Sequence, residues 1–254
     1  MFSKFKFPAG ELQVKYDFDG KMPDSITHHI KNSDDIIELL QICDIIKAKN
    51  GYPPDILIPY LPFSRMDRRI DGYSFSLKVF AELLNTIGSK KISTYDVHSG
   101  KASLLIYNFQ NLSVELYQRE FLKEIDFEID RIVLPDEGAS ERYRQIVKTF
   151  PYVQGYKSRD KDGNVTDIGI YGDVDGKNCL VLDDICDGGA TFLKLGDKLK
   201  QGGAKQLALF VTHGIFSKGL EDLLKMYSKI GCTNSINQYE YIQQNKSLLR
   251  IISL

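Results

Sequence analysis

Neither sign of charge prevails in this chain of 254 residues: 33 lysines and arginines stand against 34 aspartates and glutamates, for a net charge of -1. Without a global field, neither nucleic acid nor an anionic membrane surface is expected as a partner, and any anion site must be a local cluster. Long apolar runs are missing as well. None approaches the roughly 18 residues needed to span a bilayer, so no membrane association is expected. The four cysteines (Cys43, Cys179, Cys186, Cys232) are scattered without a CxxC spacing, and nothing ahead of the first strand-like segment reads as a signal peptide. A reducing, cytoplasmic location is the expectation. Repeats and low-complexity tracts are also absent, and the eight prolines are dispersed. What is present is a hydrophobic content of 43%, enough for one large globular unit or two small α/β domains with real cores.

Segments rich in β-branched and aliphatic residues recur at 55–60 (DILIPY), 91–97 (KISTYDV), 131–134 (RIVL), 178–184 (NCLVLDD) and 206–212 (QLALFVT). Helical patterns lie between them, and that alternation predicts parallel sheets covered on both faces. Over 34–48 the apolar residues Ile36, Ile37, Leu40, Cys43, Ile45 and Ile46 form a stripe behind a Ser33 cap, with acids in the first turn. Over 191–201 a second helix follows a glycine pair and stops at Gly202 and Gly203. The pattern resets near residue 114, giving an N-terminal α/β domain over 1–114 and a C-terminal one over 115–254. Ligands of such folds sit at strand C-termini.

The strongest local signal is VLDDICDGGAT, residues 181–191: strand, two acids, a small-residue turn, then a helix. Backbone amides in the turn and at the helix start cradle a phosphate. Carboxylates cannot do that. Asp183 and Asp184 instead suit two adjacent hydroxyls, as on ribose, or a metal that bridges to phosphate. The alternative for a bare acid pair before two glycines is a strand ending in a capped turn.

This segment resembles the ribose-phosphate motif of the type I phosphoribosyltransferase superfamily. Its neighbours are similar to one branch of it. Residues 59–69 (PYLPFSRMDRR), 94–98 (TYDVH), 135–142 (PDEGASER), 157–159 (KSR) and 212–217 (THGIFS) stand in the order and spacing of the ribose-phosphate pyrophosphokinases. The resemblance covers about Phe5 to Ile251. It implies two phosphoribosyltransferase-like domains, each a mainly parallel sheet flanked by helices. The N-terminal domain would be the ATP side and the C-terminal one the ribose-phosphate side. It also implies a reaction in which the 1-hydroxyl of ribose 5-phosphate attacks the β-phosphorus of Mg-ATP and AMP leaves. Such chemistry depends on positioning and charge neutralisation.

Residue by residue, the resemblance makes Lys157 and Arg159 the catalytic pair of a mobile loop that closes over ATP. His98 accompanies metal and ATP phosphates, Asp136 lies near the Mg-bound ribose hydroxyls, and Arg65 and Arg68, beside Phe63, grip the polyphosphate. Phe7 and Glu11, in FPAGEL, would stack on adenine and take its amino group in a neighbouring subunit's site, which implies a homo-oligomer. Asp183, Asp184, Asp187, Gly188, Gly189, Ala190 and Thr191 form the ribose-phosphate site. Mg²⁺, with Mn²⁺ as substitute, is the implied cofactor, held in part by His98 and Asp136. For several of these, plainer roles compete: a solvated loop for Lys157 and Arg159, a helix cap for Asp136, a hairpin turn with a core phenylalanine for Phe7.

Departures from the family pattern bear on specificity. Ala9 replaces an acid and Met66 a glutamine, so two polar adenine contacts are lost. After His98 the chain reads SGKASLLI, which brings in Lys101, a candidate for a second phosphate. Gly188 stands where the cradle has threonine; it removes a hydroxyl and is expected to open space beside the phosphate. Judged from its motifs, the chain is shorter than the family by about a βα unit at the start and a final helix. Two further readings keep the fold: the same transfer to ADP-ribose, and a non-catalytic regulatory subunit. A phosphoribosyltransferase fits less well, since blocks 59–69 and 212–217 have no counterpart there.

Overall fold

The structure, a computed structural model, describes residues 2–17, 20–159, 165–236 and 249–254, without the side chains of Lys157, Arg159, Val165 and Thr166. It divides into two compact units, Met1–Leu112 and Ser113–Leu254.

In the first unit, strands β1 (Phe2–Lys6) and β2 (Leu12–Tyr16) pair as an antiparallel hairpin. Strand β3 (Ser25–Thr27) leads into helix α1 (Ser33–Asn50), followed by β4 (Asp55–Leu57), α2 (Ser76–Ile87), β5 (Ile92–Tyr95), α3 (Ala102–Leu105) and β6 (Phe109–Leu112). The last four strands form a parallel sheet in the order β3-β4-β5-β6. The cap of α1 is Asn32, not Ser33. Asn32 accepts from the amides of Asp34 (2.8 Å) and Asp35 (3.3 Å), while the Asp35 carboxylate accepts from the Asn32 amide at 3.0 Å. The reciprocal box satisfies orphan donors at both ends of the turn, which a serine one residue later would not do. Leu39, Ile42, Cys43 and Ile46 are the buried face of this helix, whereas Ile37 is 43% exposed. Helix α2 buries Leu77, Phe80, Ala81, Leu84 and Ile87, a spacing that places one stripe against the sheet.

The second unit opens with α4 (Glu115–Lys123), β7 (Arg131–Leu134), α5 (Glu137–Arg142) and a 3₁₀ turn at Ile146–Lys148. Then come β8 (Tyr152–Arg159), β9 (Val165–Tyr171), β10 (Asn178–Cys186), α6 (Ala190–Gln201), β11 (Gln206–Gly214), α7 (Glu221–Met226), β12 (Lys229–Thr233) and β13 (Leu249–Ile252). Seven strands form one sheet in the order β13-β12-β11-β10-β7-β8-β9, parallel except for the last pair. Residues Cys179–Leu182 of β10 and Leu207–Val211 of β11 are all 0% exposed, the unbroken apolar run of strands covered on both faces. The two-domain α/β expectation, with mainly parallel sheets flanked by helices, is borne out.

The stretch carrying Lys157 and Arg159 was expected as a loop and is the end of a strand. Backbone pairing of Lys157 with Ile168 and of Arg159 with Val165 extends an antiparallel hairpin. Its inner face is fixed by Val153 and Ile168, both 1% exposed, and its outer face carries the exposed Tyr152 and Tyr171. An edge hairpin with one solvated face tolerates polar residues that resemble loop composition.

Candidate active site

Strands β7, β10 and β11 lie side by side and parallel, so their C-terminal ends fall at one edge of the second unit's sheet. Asp136 follows β7, Asp183 to Gly189 span the end of β10 and the turn after it, and Thr212 to Ser217 span the end of β11 and the loop after it. The candidate ribose-phosphate residues are therefore brought together by topology.

Asp183 and Asp184 are 7% and 3% exposed, a costly place for two adjacent carboxylates. Their compensation is Arg142, the last residue of α5. Its Nη1 lies 3.6 Å from Asp183 Oδ1 and 3.1 Å from Asp184 Oδ1, with 15% of its side chain exposed. One planar guanidinium thus serves two acids and favours their ionised, hydrogen-bond-accepting form. Arg142 closes the segment 135–142, but a lone arginine at a helix end carries no signal in the sequence of pairing with acids some 40 residues further on. Asp136 caps α5, its Oδ1 accepting from the Ala139 amide at 3.0 Å. The capping alternative is therefore real, and it leaves the carboxylate at the strand end where a ligand role would need it.

The turn that follows β10 is held by the loop after β11. The amides of Ile215 and Phe216 donate to the Cys186 carbonyl at 2.8 and 3.1 Å, and the Ser217 hydroxyl donates to Asp187 Oδ1 at 2.6 Å. Gly189, at φ 78°, occupies the left-handed region as the N-cap of α6. Ala190 and Thr191 open that helix, so its first amides face the turn. The expected opening beside Gly188 is not found. A Cβ built there would lie 3.3 Å from Lys218 Cδ and 3.4 Å from Cε, so that lysine's methylenes fill the place. On the next strand His213, 1% exposed, shares its Nδ1 with the Ser235 hydroxyl at 2.8 Å. Lys157 and Arg159 end β8, and their side chains lie outside the described residues.

In the first unit, His98 is exposed just past β5. Arg65 and Arg68 are exposed in the turn that follows Phe63, whose backbone is left-handed at φ 64°. The Phe63 ring packs on Phe80 with centroids 5.5 Å apart. Two loops are braced through Asp67: its Oδ2 accepts from the Ser99 hydroxyl at 2.8 Å and lies 3.5 Å from Lys101 Nζ. Lys101 also donates to the Asp67 carbonyl at 3.1 Å, so its ammonium is engaged there and ties the arginine loop to the His98 loop. Burial alone would push the Asp67 carboxyl up; the Ser99 hydroxyl, Lys101 and Arg68 together outweigh it and hold it below its ordinary value. Phe7 and Glu11 flank the hairpin turn, with the Phe7 amide donating to the Glu11 carbonyl at 2.9 Å. Phe7 is not a core residue: it is 48% exposed and meets Phe5 edge-on at 5.1 Å.

Among the described residues, no group of three or more histidine, cysteine, aspartate or glutamate side chains forms a metal cage. The acids at the sheet edge come singly or as the arginine-paired couple. That donor set fits a cation carried in by a polyphosphate, which asks for one or two protein carboxylates and keeps its other positions for phosphate and water. All four cysteines are buried and unpaired, and burial pushes the Cys43, Cys186 and Cys232 thiols up to about 12. They are poor nucleophiles near neutrality. No helix among the described residues is long and apolar enough to cross a membrane.

Residues 144–251 match the family model of the phosphoribosyl synthetase-associated domain. The chain is 30% identical over 239 residues to the ribose-phosphate pyrophosphokinase of Mycoplasmopsis pulmonis, a match covering 90% of this chain and 73% of that one. It is 31% identical over 196 residues to the ribose-phosphate pyrophosphokinase of Cereibacter sphaeroides, covering 73% of this chain and 57% of that one. Among solved structures, the phosphoribosylpyrophosphate synthetase of Mycobacterium smegmatis matches with a TM-score of 0.81 at 23% identity. That match covers 100% of this chain and 86% of the other, and it is a likeness of fold.

Proposed function

The chain belongs to the ribose-phosphate pyrophosphokinase family, and on that premise we propose that it transfers the β,γ-diphosphoryl group of ATP to the 1-hydroxyl of ribose 5-phosphate. The products are phosphoribosyl diphosphate, which feeds nucleotide synthesis, and AMP. The observation that carries this reading is the buried Asp183–Asp184 couple, compensated by Arg142 and set directly before a glycine turn and the start of α6. Acids that accept from two neighbouring hydroxyls, next to amides that hold a phosphate, match a ribose phosphate better than either a bare sugar or a bare phosphate.

In this reading Asp183 and Asp184 orient the ribose by accepting from its adjacent hydroxyls, and Arg142 holds both carboxylates as acceptors. The amides of Gly188 to Thr191 hold the 5-phosphate, favoured by the positive end of α6. With the ribose so fixed, its 1-hydroxyl oxygen bonds to the β-phosphorus, the bridge to the α-phosphate breaks, and the hydroxyl proton passes to solvent. Lys157 and Arg159 meet the negative charge that develops on the moving group. Arg65, Arg68 and His98 receive the triphosphate, and Phe7 with Glu11 serves the adenine of a neighbouring subunit in a homo-oligomer. His98 and Asp136 would help the triphosphate hold Mg²⁺ or Mn²⁺, which would supply charge neutralisation.

The test is AMP release from ATP in the presence of Mg²⁺, with equal ribose 5-phosphate and ADP-ribose, the product being identified by mass. Phosphoribosyl diphosphate as the product supports the reading. Exclusive conversion of ADP-ribose overturns the acceptor, and no sugar-dependent AMP at all overturns the activity.

A further inference from the structure

We propose that Lys218 is a specificity-determining residue of the acceptor site, supplying to the sugar phosphate the contact that Gly188 cannot make. The proposal rests on the reading of residues 187–191 as the 5-phosphate cradle.

Three observations lead to it. First, Gly188 is not a glycine by reason of backbone strain, since its φ lies outside the left-handed range in which Gly189 sits at 78°. Its neighbour is what a side chain would meet: a Cβ there falls 3.3, 3.4 and 3.5 Å from Lys218 Cδ, Cε and Cγ. The lysine chain therefore runs across the turn, and its ammonium lies one bond beyond an atom already at the cradle's rim.

Second, Lys218 is carried by a fixed backbone. Before it, Phe216 is 2% exposed and Ser217 bonds Asp187 through both its hydroxyl and its amide, at 2.6 and 3.2 Å. After it, the Gly219 amide returns to the Phe216 carbonyl at 2.9 Å, and Leu220 is 0% exposed. A lysine on an anchored turn loses less freedom on meeting an anion than one on an open loop.

Third, the charge around the turn calls for a cation. Arg142, which lies 3.6 and 3.1 Å from Asp183 and Asp184, serves those two acids rather than an incoming phosphate. A phosphate dianion entering here meets about half a positive charge at the start of α6. Lys218 is exposed, and no carboxylate among the described residues is within ion-pair reach of it. It brings the missing unit charge.

The experiment compares Lys218→Met, which keeps the methylenes over Gly188 and removes the charge, with the parent protein. The KM for ribose 5-phosphate is expected to rise about tenfold or more, as for loss of a charge-assisted hydrogen bond. The KM for ATP should hold. The effect should shrink at high salt. In a second variant, Gly188→Thr with Lys218→Ala, a hydroxyl enters the vacated space and should recover part of the loss. An unchanged KM for ribose 5-phosphate in Lys218→Met, in protein that turns that sugar over, refutes the role of Lys218 and leaves the proposed activity standing. A parent protein that neither binds nor converts ribose 5-phosphate refutes both.

Discussion

Removing the Arg142 charge should destabilise the second unit more than any surface substitution, and the deficit should depend on pH. At 3.1 and 3.6 Å, each guanidinium–carboxylate attraction is about 5 kcal/mol gross at an effective dielectric constant near 20. Desolvation of three charged groups offsets most of this, so the net contribution of the triad is small. Deleting the cation alone is different. Two adjacent carboxylates with side-chain exposures of 10% and 4% then lose their guanidinium and repel each other with little screening by water. Loss of one partner from a buried ion pair costs about 3–5 kcal/mol, a large part of the roughly 5–15 kcal/mol that holds a domain together.

The variant is Arg142→Met, which keeps much of the side-chain volume, and the assay is urea unfolding at pH 7 and at pH 5. At pH 7 the midpoint should fall by the equivalent of about 3 kcal/mol or more. Protonation of one carboxylate of the buried couple removes its repulsion, so the gap from the parent should narrow at pH 5. Arg142→Lys should fall between, because a point ammonium cannot fork to both acids. Adding Asp184→Asn to Arg142→Met should restore stability, the sign expected of a coupled pair. A loss below about 1 kcal/mol at pH 7, or one of equal size at both pH values, would refute the account of Arg142 as the compensating charge.

Lys157→Ala and Arg159→Ala should each slow diphosphoryl transfer by about a hundredfold or more while leaving the circular dichroism spectrum unchanged; near-parent kcat ends their assignment. Gly231→Ala in β12 should destabilise by about 1–3 kcal/mol, because a Cβ there falls 2.4 Å from the buried Phe121 ring; a melting curve with no shift contradicts the close approach. Asp67→Asn probes the brace to Ser99 and Lys101. A carboxyl held below its ordinary value contributes fully above about pH 4 and loses its contribution as the pH falls through that lowered value. The stability difference between Asp67→Asn and the parent should therefore be constant from pH 5 to 8 and shrink as the pH falls below about 4, and a difference that grows on acidification has the wrong sign.

How far the fold could be read depended on whether an element announced itself locally. Strand 131–134 has its expected bounds, and β10 and β11 run two residues past theirs, because Cys186 and Gly214 still pair across the sheet. Helix α2 went unread although its stripe Leu77, Phe80, Ala81, Leu84 is regular, since Phe75 at its start offers no side-chain cap and no start signal. Strand β12 carries a glycine in five residues; it is held by pairing with β11 and β13, and the buried Phe121 packs over Gly231, where a side chain would not fit. A propensity argument sees none of that, since the partner comes from α4.

The site shows the same division at higher stakes. Asp183 and Asp184 were legible because acids, glycines and helix start are contiguous, and one turn's geometry follows from contiguous residues. Arg142 and Lys218 were not, because each reaches the end of β10 from a different connection: Arg142 from the far end of α5 in the segment after β7, and Lys218 from the loop after β11. The parallel order β11-β10-β7 sets those connections on either side of the β10 turn. A motif scan reads along the chain; charge compensation acts across the sheet edge. The loss of a hydroxyl at Gly188 therefore had to be read as an opening until the neighbouring loop was seen to lay a lysine over it. Cradle composition alone consequently cannot rank acceptors in this chain: the positive end of α6 is fixed by β10 and its turn, while the cation at the rim is set by the β11 loop. A single substitution in that loop can alter acceptor affinity with the cradle residues unchanged.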